Sequence, residues 1–534
     1  MVAVTYTSDL TDITLFESTT GITNYGGGGA AASAGIDYAI EGTNCIDKQV
    51  NATERGFLFG AASAFTIGAD DHFYEWVCVG TYGLADTRNN RGICVAIGDD
   101  TSNFVKFHVN GSDTLPLGGM VPYAIRFVNT TLTNFRTLVG SPGTSPDSIG
   151  CTANITGSAK FANLAADACR IGTGYDILNG TGADPEGNFA GIASDDESTR
   201  EGVLVAVGGG YNLQGKLRIG SASTACEFLD LNTNINIVDT IHSLTDFTEI
   251  LVEHASSILT LTNINFNALG TNNPGRIEAI TSAATLTLNN VGFINFGASI
   301  FGSGSTLTNC RWIAAGQITA GNGTFTGCAF DSSPAATAVS AASPAEAAKI
   351  SNSTFTSDGN GNGLEIGGTA ADFTLTNIDF SGYSLTVDAD KAIYVNIATG
   401  TVNITLTGGS GVSASSHVRT AGATVNVIVG AVTVQITTTD SAGVPIATAK
   451  AHLRASDATG PFPYQETVTI SRSTTTATVT HTAHGMASND KVLLRGISDK
   501  TEDNTVKQIT VTTANAYTYT TTDSGSTSYT GRFF

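Results

Sequence analysis

The chain contains 534 residues with a formal net charge of −21; 13% of them are charged, 41% are hydrophobic and 61 are glycine. This apolar fraction excludes a disordered chain, and an acidic balance without clustered Lys or Arg excludes a groove that follows nucleic-acid phosphates. No apolar run approaches the roughly 18 residues of a membrane helix, and the start, MVAVTYTSDLTDITLF, lacks the basic and apolar regions of a secretory signal. Few charges with many Gly, Thr, Ser and Asn are typical of turn-rich β-structure, so we predict an all-β protein.

The N-terminal part contains a lead-in segment followed by a predicted sandwich. Residues 1–35 are assigned to the lead-in or anchor, because YGGGGAAASAG at 25–35 is typical of a linker. Residues 36–160 alternate polar and apolar side chains between turn-rich gaps, which predicts an antiparallel β-sandwich of jelly-roll or concanavalin-like type. The strongest predicted strands are 73–79, 93–97, 104–109 and 124–128.

The pattern weakens between residues 161 and 250, which we assign to a transition region. ACRIGTG at 168–174 and GKLRIGSAS at 215–223 suit first coils or a cap, because the terminal repeats of stacked folds are often atypical. Regular coils are predicted from residue 251.

Six copies of an eight-residue pattern lie between residues 251 and 425, from LTLTNINF at 259–266 to FTLTNIDF at 373–380. An aromatic residue fills the eighth position of every copy: Phe266, Phe293, Trp312, Phe330, Phe355 and Phe380. Asn fills the fifth position of five copies: Asn263, Asn290, Asn309, Asn352 and Asn377. With Gly327 in the remaining copy, the fifth positions are separated by 27, 19, 18, 25 and 25 residues, the length of one β-solenoid turn.

Stacking explains this pattern. A short strand cannot bury an inward aliphatic and an inward aromatic side chain alone, so each coil lies on the next at a spacing of roughly 4.8 Å. Asn adopts left-handed geometry at a turn, and its amide bonds the same group one coil away. We therefore predict a parallel β-helix over 251–425 with two structural ladders. The alternative is a β-sandwich whose strands share only β-propensity.

Two local features lie within the predicted coils. Ser343 as N-cap, followed by Pro344 and Glu346, forms a capping box that predicts a short helix between coils. Cys310 and Cys328 fill the same sixth position of consecutive copies, so they should be neighbours. Because the eight cysteines form no CxxC pair, we predict free thiols rather than disulfides or a zinc site.

Two small β-modules follow residue 425. Residues 426–465 have an Ig-like pattern, in which Val432, Val434 and Ile436 alternate before the turn TTDSAGVPI. Residues 466–534 form a small β-domain with predicted strands at ETVTI, TATVT, KVLL, QITV and AYTYT.

Paired carboxylates on neighbouring coils would indicate a polysaccharide lyase or hydrolase. The acids of the predicted coils are Glu278, Asp331, Asp358, Glu365, Asp372, Asp379, Asp388 and Asp390. Asp379 directly precedes a ladder aromatic, but the other copies have no acid there: Asn265, Gly292, Arg311, Ala329 and Thr354. We predict no catalytic residue, and the alternative is a lyase or glycoside hydrolase with a loop-built or intersubunit site.

Other acidic groups match metal sites only in part. Asp358, Asn360 and Asn362 imitate the start of an EF-hand loop, but its twelfth position is Thr369 and no helices flank it. We interpret this segment as a turn between coils. The acidic loops are Asp99 with Asp100, and Asp195 with Asp196 and Glu197; they would bind a divalent ion only if other ligands converged on them.

A histidine pair lies in the C-terminal domain. His481 and His484 have a spacing seen in metal sites, but a third ligand is missing from the nearby sequence and His484 precedes Gly485 at a predicted turn. We assign them a structural role, and we predict no metal and no cofactor.

Three segments resemble a known family. VTISRSTTTATVTHTAHGMASNDKVLLRGI at 468–497 resembles a small β-domain of tailed-bacteriophage virion proteins, with alternating Thr and Val, a T-H-x-x-H-G segment and a D-K-V strand. GKLRIGSAS and STLTNCRWIAAGQITAGNGTFTG at 305–327 resemble phage structural proteins. TTDSAGVPIATAKAHLRA at 438–455 is similar to Ig-like modules of surface and phage proteins. The resemblance covers about two thirds of the chain.

The resemblance implies a non-enzymatic virion component of the fibre, spike or decoration type. Such a subunit is made in the host cytoplasm, joins other capsid or tail proteins and assembles with itself, usually as a homotrimer. A lectin-like N-terminal sandwich would contact host-surface glycans or dock to the particle. The alternatives are a tailspike polysaccharide depolymerase and a free carbohydrate-binding protein.

Overall fold

A computed structural model defines the architecture of the chain. It describes residues 4–26, 31–50, 54–61, 63–79, 93–108, 120–127, 136–153, 162–178, 187–238, 248–269, 275–413, 415–420, 422–429, 466–482, 484–495, 505–522 and 527–533. The chain divides into two compact units, Met1–Val432 and Thr433–Phe534. Almost every described element is a strand, which confirms the all-β prediction.

Two antiparallel sheets form the N-terminal sandwich. The first contains, in spatial order, Val121–Ile125, His72–Val79, Ala162–Gly172, Cys45–Val50 and Ser33–Gly35, with Thr11–Thr14 also paired to Ala162–Gly172. The second contains Arg136–Val139, Asn103–His108, Ile93–Asp100, Ser148–Ala153, Arg55–Gly60 and Ile22–Tyr25.

The core of the sandwich lies between these sheets. Side chains alternate across a strand, so every second residue faces inward. Phe73 and Val77 of the first sheet belong to one buried cluster with Phe57, Val95 and Phe107 of the second. Each fully buried side chain of this size contributes roughly 2 kcal/mol through removal from water.

The outer face of the first sheet packs against the next part of the chain. Tyr74 is buried in a cluster that continues into the coils, and its hydroxyl donates to the Thr173 carbonyl at 2.8 Å. The indole N–H of Trp76 donates to the Arg200 carbonyl at 2.7 Å. Sandwich and coils therefore share an interface within the first unit.

Three long sheets form a parallel β-solenoid. The first contains Thr5–Ser8, Gly174–Leu178, Lys216–Ile219, Thr248–Val252, Gly275–Ala279, Ser299–Ile300, Ile318–Thr319, Thr337–Ala341, Asn362–Ile366, Ile393–Val395 and His417–Arg419. The second contains Glu227–Leu231, Ile258–Thr262, Thr285–Asn289, Ser305–Thr308, Thr324–Thr326, Ile350–Ser351, Phe373–Thr376, Thr401–Thr407 and Thr424–Val429. The third contains Leu204–Val207, Gly210–Leu213, Asn234–Val238, Asn265–Leu269, Gly292–Ile294, Arg311–Ile313, Ala329–Asp331, Thr354–Thr356 and Asp379–Ser381.

The parallel coils begin near residue 174, within the region 161–250 that we assigned to a transition with first coils or a cap, and before the regular coils predicted from 251. Gly174–Leu178 pairs in parallel with Lys216–Ile219, and the preceding sandwich strand ends at Gly172 rather than near 160. The early coils lack the aromatic repeat because Ile235 occupies the position aligned with Phe266. Their corner nevertheless keeps Asn232, with φ of +58°.

The lead-in segment is also part of the fold rather than a separate anchor. Thr5–Ser8 pairs antiparallel with Gly174–Leu178 at the start of the first solenoid sheet. Thr11–Thr14 is a strand of the first sandwich sheet, and Ile22–Tyr25 is a strand of the second. These strands are short and rich in Thr, so sequence alternation over so few residues could not separate them from a linker.

Two α-helices and one 3₁₀-helix interrupt the described strands. Helix α1, Phe189–Thr199, packs the Phe189 ring edge-on against Phe228 with 5.0 Å between ring centroids, at the N-terminal end of the coil interior. Helix α2, Pro344–Ala347, confirms the predicted short helix and its Ser343 N-cap, whose hydroxyl accepts from the Glu346 amide at 3.2 Å, while the Glu346 carboxylate accepts from the Ala342 amide rather than from Ser343. The 3₁₀-helix is Asp388–Asp390.

The second unit is an antiparallel sheet over residues 466–533. Its strands are, in spatial order, Val506–Gln508, Lys491–Arg495, Thr527–Phe533, Glu466–Ser473, Thr476–Thr480, Ala516–Thr520 and Thr510–Thr513. Val468, Ile470, Val479, Leu494 and Tyr517 lie in its buried cluster. Of the predicted Ig-like module, residues 426–429 belong to the last described coil strand, while Val432, Val434 and Ile436 lie outside the described residues.

Candidate functional site

The six predicted ladder aromatics come together as one buried column. Neighbouring ring centroids are 4.6 to 5.4 Å apart along the order Phe266, Phe293, Trp312, Phe330, Phe355 and Phe380. Each side chain is at most 4% exposed. The indole N–H of Trp312 donates to the Ser299 hydroxyl at 3.2 Å, which satisfies the one polar atom of the column.

The predicted corner asparagines stack along the outside of the same coils. Asn263, Asn290, Asn309, Asn352 and Asn377 have φ between +50° and +56°. Only glycine and, at lower frequency, Asn or Asp adopt this left-handed conformation routinely, because a Cβ crowds the following carbonyl.

Amide hydrogen bonds connect the corner asparagines in two separate runs. In the first, the Asn263 amide donates to Asn232 and the Asn290 amide donates to Asn263, each at 2.8 Å. In the second, the Asn377 amide donates to Asn352 at 2.8 Å. Within the described residues, no hydrogen bond joins Asn309 to Asn290.

Cys310 and Cys328 lie next to each other in the interior, one coil apart. Both are buried and free, as are the other six cysteines. Their thiols contact backbone carbonyls of the preceding coil at 3.5 and 3.7 Å. The Cys328 amide donates to the Ser353 hydroxyl at 3.1 Å, so this inward column is partly polar.

The outer face of the first solenoid sheet carries a ladder of alternating charges. Three residues occupy the same register position on consecutive strands: Lys216, Glu249 and Arg276. The Lys216 ammonium lies 2.9 Å from one Glu249 oxygen, and the Arg276 guanidinium lies 3.3 Å from the other. Arg218 pairs likewise with Asp176 on the neighbouring strand. Opposite charges on adjacent strands stabilise the stack at this face.

This charge ladder contains an acid pair that the sequence did not reveal. Glu278 also contacts Arg276, so the carboxylates of Glu249 and Glu278 share one guanidinium. Their side chains are only 10% and 17% exposed. The pair was missed because Glu249 precedes residue 251, where regular coils were predicted to begin.

A cleft of about 440 Å³ opens where the sandwich passes into the first coil. Its walls come from the lead-in strand and from residues 61–71, and they carry the carboxylates of Asp9, Asp12 and Asp71 beside the Phe65 ring. The Phe65 ring packs edge-on against Phe73 with 5.5 Å between centroids, which fixes its position. Carboxylates and hydroxyls beside an aromatic ring suit a polyhydroxylated ligand.

The acids of this junction cleft already have partners. Asp9 accepts from the Thr173 amide at 2.8 Å, the Thr173 hydroxyl at 2.6 Å and the Gly174 amide at 2.9 Å, and it pairs with Arg218 at 3.1 Å. Burial opposes ionisation, but these donors together hold the pKa of Asp9 below its ordinary value. Asp12 pairs with Arg170 at 2.8 Å. Asp71 accepts from the Gly68 amide at 2.6 Å, so all three carboxylates of the cleft accept hydrogen bonds or form ion pairs within the fold.

The acidic runs singled out in the sequence have structural roles. Asp100 accepts from the amides of Ser102 and Asn103 in a turn, at 2.6 and 2.9 Å. The prediction that Asp196 lies in an acidic loop is wrong, because the residue belongs to α1 and is 2% exposed. Burial raises the pKa of Asp196 to about 6, although the amides of Leu204, Gly202 and Val203 favour its charged form.

Two other predicted groups also lie in local structure. Asp358 accepts from the Asn360 amide at 3.0 Å, as expected for a turn. The ring of His481 is buried, and both His481 and His484 pack on Tyr517 with centroids 6.2 and 5.4 Å away. No group of three His, Cys, Asp or Glu residues with metal-binding geometry occurs in the part of the chain that the structure describes.

A buried Cys–His pair in the sandwich also escaped the sequence analysis. The Cys94 thiol lies 3.2 Å from His108 Nδ1, and His108 Nε2 lies 2.8 Å from the Thr137 hydroxyl. Burial raises the pKa of Cys94 to about 12 and lowers that of His108 to about 4, so both are neutral at pH 7. A nucleophilic cysteine needs the thiolate, so this pair is a satisfied polar contact.

Comparisons with known proteins identify no family. No family model and no curated protein matches the chain. Similar solved structures include an exo-beta-agarase, at 12% identity over 30% of this chain and 24% of the other with a TM-score of 0.20, and PfGH50B, at 12% identity over 34% and 29% with a TM-score of 0.18. The catalytic domain of a GH87 alpha-1,3-glucanase in complex with nigerose has 11% identity over 80% of this chain and 88% of that one, with a TM-score of 0.20.

These similarities assign no activity to the chain, because TM-scores of 0.20 and below do not indicate a common arrangement of the whole fold. The chain spans less than a third of the agarase and of PfGH50B. No described helix is long and apolar enough to cross a membrane.

Proposed function

We propose that the chain is a non-enzymatic structural subunit of a bacteriophage virion, a fibre, spike or decoration protein that assembles with other particle proteins and as a homotrimer. Its solenoid is the body of the subunit, and its surfaces contact partner proteins and host glycans. The observation that carries this proposal is the continuous stack of coils with an aromatic column inside and asparagine corners outside.

Such a stack suits a particle that persists outside the cell. Every coil is held by backbone hydrogen bonds on both sides and by buried side chains, so local opening exposes several rungs together. Slow unfolding, rather than equilibrium stability alone, then determines how long the subunit survives. The charge ladder adds ion pairs across strands at the outer face of the first solenoid sheet.

Light scattering after size-exclusion chromatography tests the assembly. A trimer of the 54.7 kDa chain has a mass of about 164 kDa, three times the single chain. A stable monomer at micromolar concentration would contradict the assembly part of the proposal. Mass spectrometry of gradient-purified particles from the host of the gene tests the location: peptides of this chain should occur at a fixed ratio to the major capsid protein.

A second candidate function is a polysaccharide depolymerase, and the Glu249–Glu278 pair favours it. Glycosidases use two carboxyl groups separated by about 5 to 10 Å. Both carboxylates, however, are already engaged in ion pairs, Glu249 with Lys216 and Arg276 and Glu278 with Arg276. The charge ladder is therefore better explained as a stacking interaction.

Release of reducing ends from acidic and neutral polysaccharides tests this second candidate. Glu278→Gln keeps the shape of the side chain and removes its charge. Cleavage by the natural chain that disappears in this variant, with an unchanged melting temperature, would replace the structural proposal by the enzymatic one.

A further inference from the structure

The corner between the second and third solenoid sheets contains a notch of about 240 Å³. We define the amide notch by six of its residues: Asn263, Asn265, Asn290, Gly292, Asn309 and Arg311. Gly292 creates the space, because the equivalent outward positions one coil before and one coil after hold Asn265 and Arg311. A Cβ at position 292 would lie 2.7 Å from the Asn265 side-chain oxygen.

The hydrogen-bonded run of corner amides ends inside this notch. Asn290 donates to Asn263, but Asn309 makes no side-chain hydrogen bond to Asn290 among the described residues. The side-chain oxygen of Asn309 points toward Gly327 on the next coil. A Cβ added at Gly327 would lie 2.5 Å from this oxygen. The Asn290 carbonyl oxygen and the Asn309 amide therefore retain hydrogen-bonding capacity at the notch, one as acceptor and the other as donor.

Arg311 gives the notch a positive charge in an otherwise acidic protein. It is the single charged residue between Glu278 and Asp331 in a chain of net charge −21. Its guanidinium is 58% exposed and contacts Asp331 at 3.4 Å, a surface ion pair that contributes little. The exposed side chain places a planar fork of donors, which matches a carboxylate, at the notch.

We propose that the amide notch binds one carboxylate-bearing sugar residue of an acidic polysaccharide. The guanidinium pairs with the sugar carboxylate, while the amides of Asn290 and Asn309 exchange hydrogen bonds with ring hydroxyls. This inference rests on the proposed contact with host glycans and names the chemical class of that glycan.

The test uses the full chain with oligogalacturonate as the probe and maltotetraose as its neutral control, followed by ligand-observed NMR and calorimetry. Gly292→Thr should fill the notch and displace the Asn265 side-chain oxygen, and the strand itself should persist because Thr354 occupies the same register position three coils further on. Arg311→Gln removes the charge. We expect each substitution to weaken oligogalacturonate binding at least tenfold, while Asn352→Gly, the same corner position outside the notch, leaves it unchanged.

Equal binding of maltotetraose, undiminished binding by both notch variants, or no binding of oligogalacturonate to the natural chain would each overturn the inference. Inorganic phosphate serves as a competitor. If phosphate displaced bound oligogalacturonate as effectively as galacturonate does, the notch would be a site for simple anions. That result would overturn the sugar assignment. The oligomeric mass and the particle stoichiometry do not depend on the notch, so failure here remains distinguishable from failure of the structural proposal.

Discussion

Replacement of Phe355 by Ala should strongly destabilise the solenoid. The ring is fully buried and lies 4.6 Å from the Phe330 centroid and 4.8 Å from the Phe380 centroid. Removal of a buried phenylalanine side chain from water is worth about 2 kcal/mol, and the cavity that Ala leaves adds to this loss. Alanine retains part of that burial, and the coils above and below cannot collapse into the gap. We therefore expect a loss of about 3 to 5 kcal/mol.

Urea unfolding monitored by tryptophan fluorescence measures this loss. The chain has two tryptophans, so the Trp76→Phe background leaves Trp312, which belongs to the same aromatic column. Thr354→Ala is the matched control, since Thr354 lies on the same strand, Thr354–Thr356, and is exposed. The control should change the unfolding free energy by less than about 0.5 kcal/mol. If Phe355→Ala and Thr354→Ala shift the transition equally, the stacked column does not carry the stability of the coils.

Three further predictions concern single positions. Gly327→Asn should be more stable than Gly327→Ala by about 1 kcal/mol, because both add a Cβ beside the Asn309 oxygen at a φ of +69° but only Asn supplies the missing ladder amide. Urea titration of both variants measures the difference, and equal stabilities would contradict the prediction. Ala314→Gly should stabilise by about 1 kcal/mol, because Ala314 has φ of +48°, and an equal loss would show that the methyl group matters more than backbone strain. Glu75 is fully buried and without a hydrogen-bond partner among the described residues, and burial raises the pKa of its carboxyl well above the ordinary 4.5. The fold favours the neutral carboxyl of Glu75. The stability of the chain is therefore unaffected by this group below pH 4.5, and it decreases as pH rises toward the folded-state pKa. Glu75→Gln should therefore match the natural chain at low pH and melt at a higher temperature at pH 8, and parallel melting curves at both pH values would contradict this assignment.

The repeat in the sequence was sufficient to predict the register of the coils. Phe266 to Phe380 and their corner asparagines recur at one position per copy, because the inward and left-handed sites impose the same requirement on every coil. The early coils were predicted only as first coils or a cap, because Ile235 fills the aromatic position there and the repeat pattern is not recognisable.

The candidate sites were harder to predict because they are built from distant residues. Asp9 contacts Arg218, and Lys216 contacts Glu249, across loops of unequal length, so no fixed spacing marks the charge ladder. The amide notch depends on Gly292, where the informative feature is a missing side chain. Helix α1 was not predicted, because Asp196 looks like part of a solvated acidic run in the sequence. In the structure the Asp196 side chain is buried, and its carboxylate accepts hydrogen bonds from the amides of residues 202–204.

The strand Thr5–Ser8 makes one end of the first solenoid sheet antiparallel, unlike the coils that follow. Another parallel coil that approached the first sheet at this end would meet a reversed strand already occupying the edge of Gly174–Leu178, and the Phe189 ring of α1 fills the adjoining interior. A parallel coil added to this sheet would therefore have to pair with Thr5–Ser8, which runs against the direction of the coils, rather than with Gly174–Leu178.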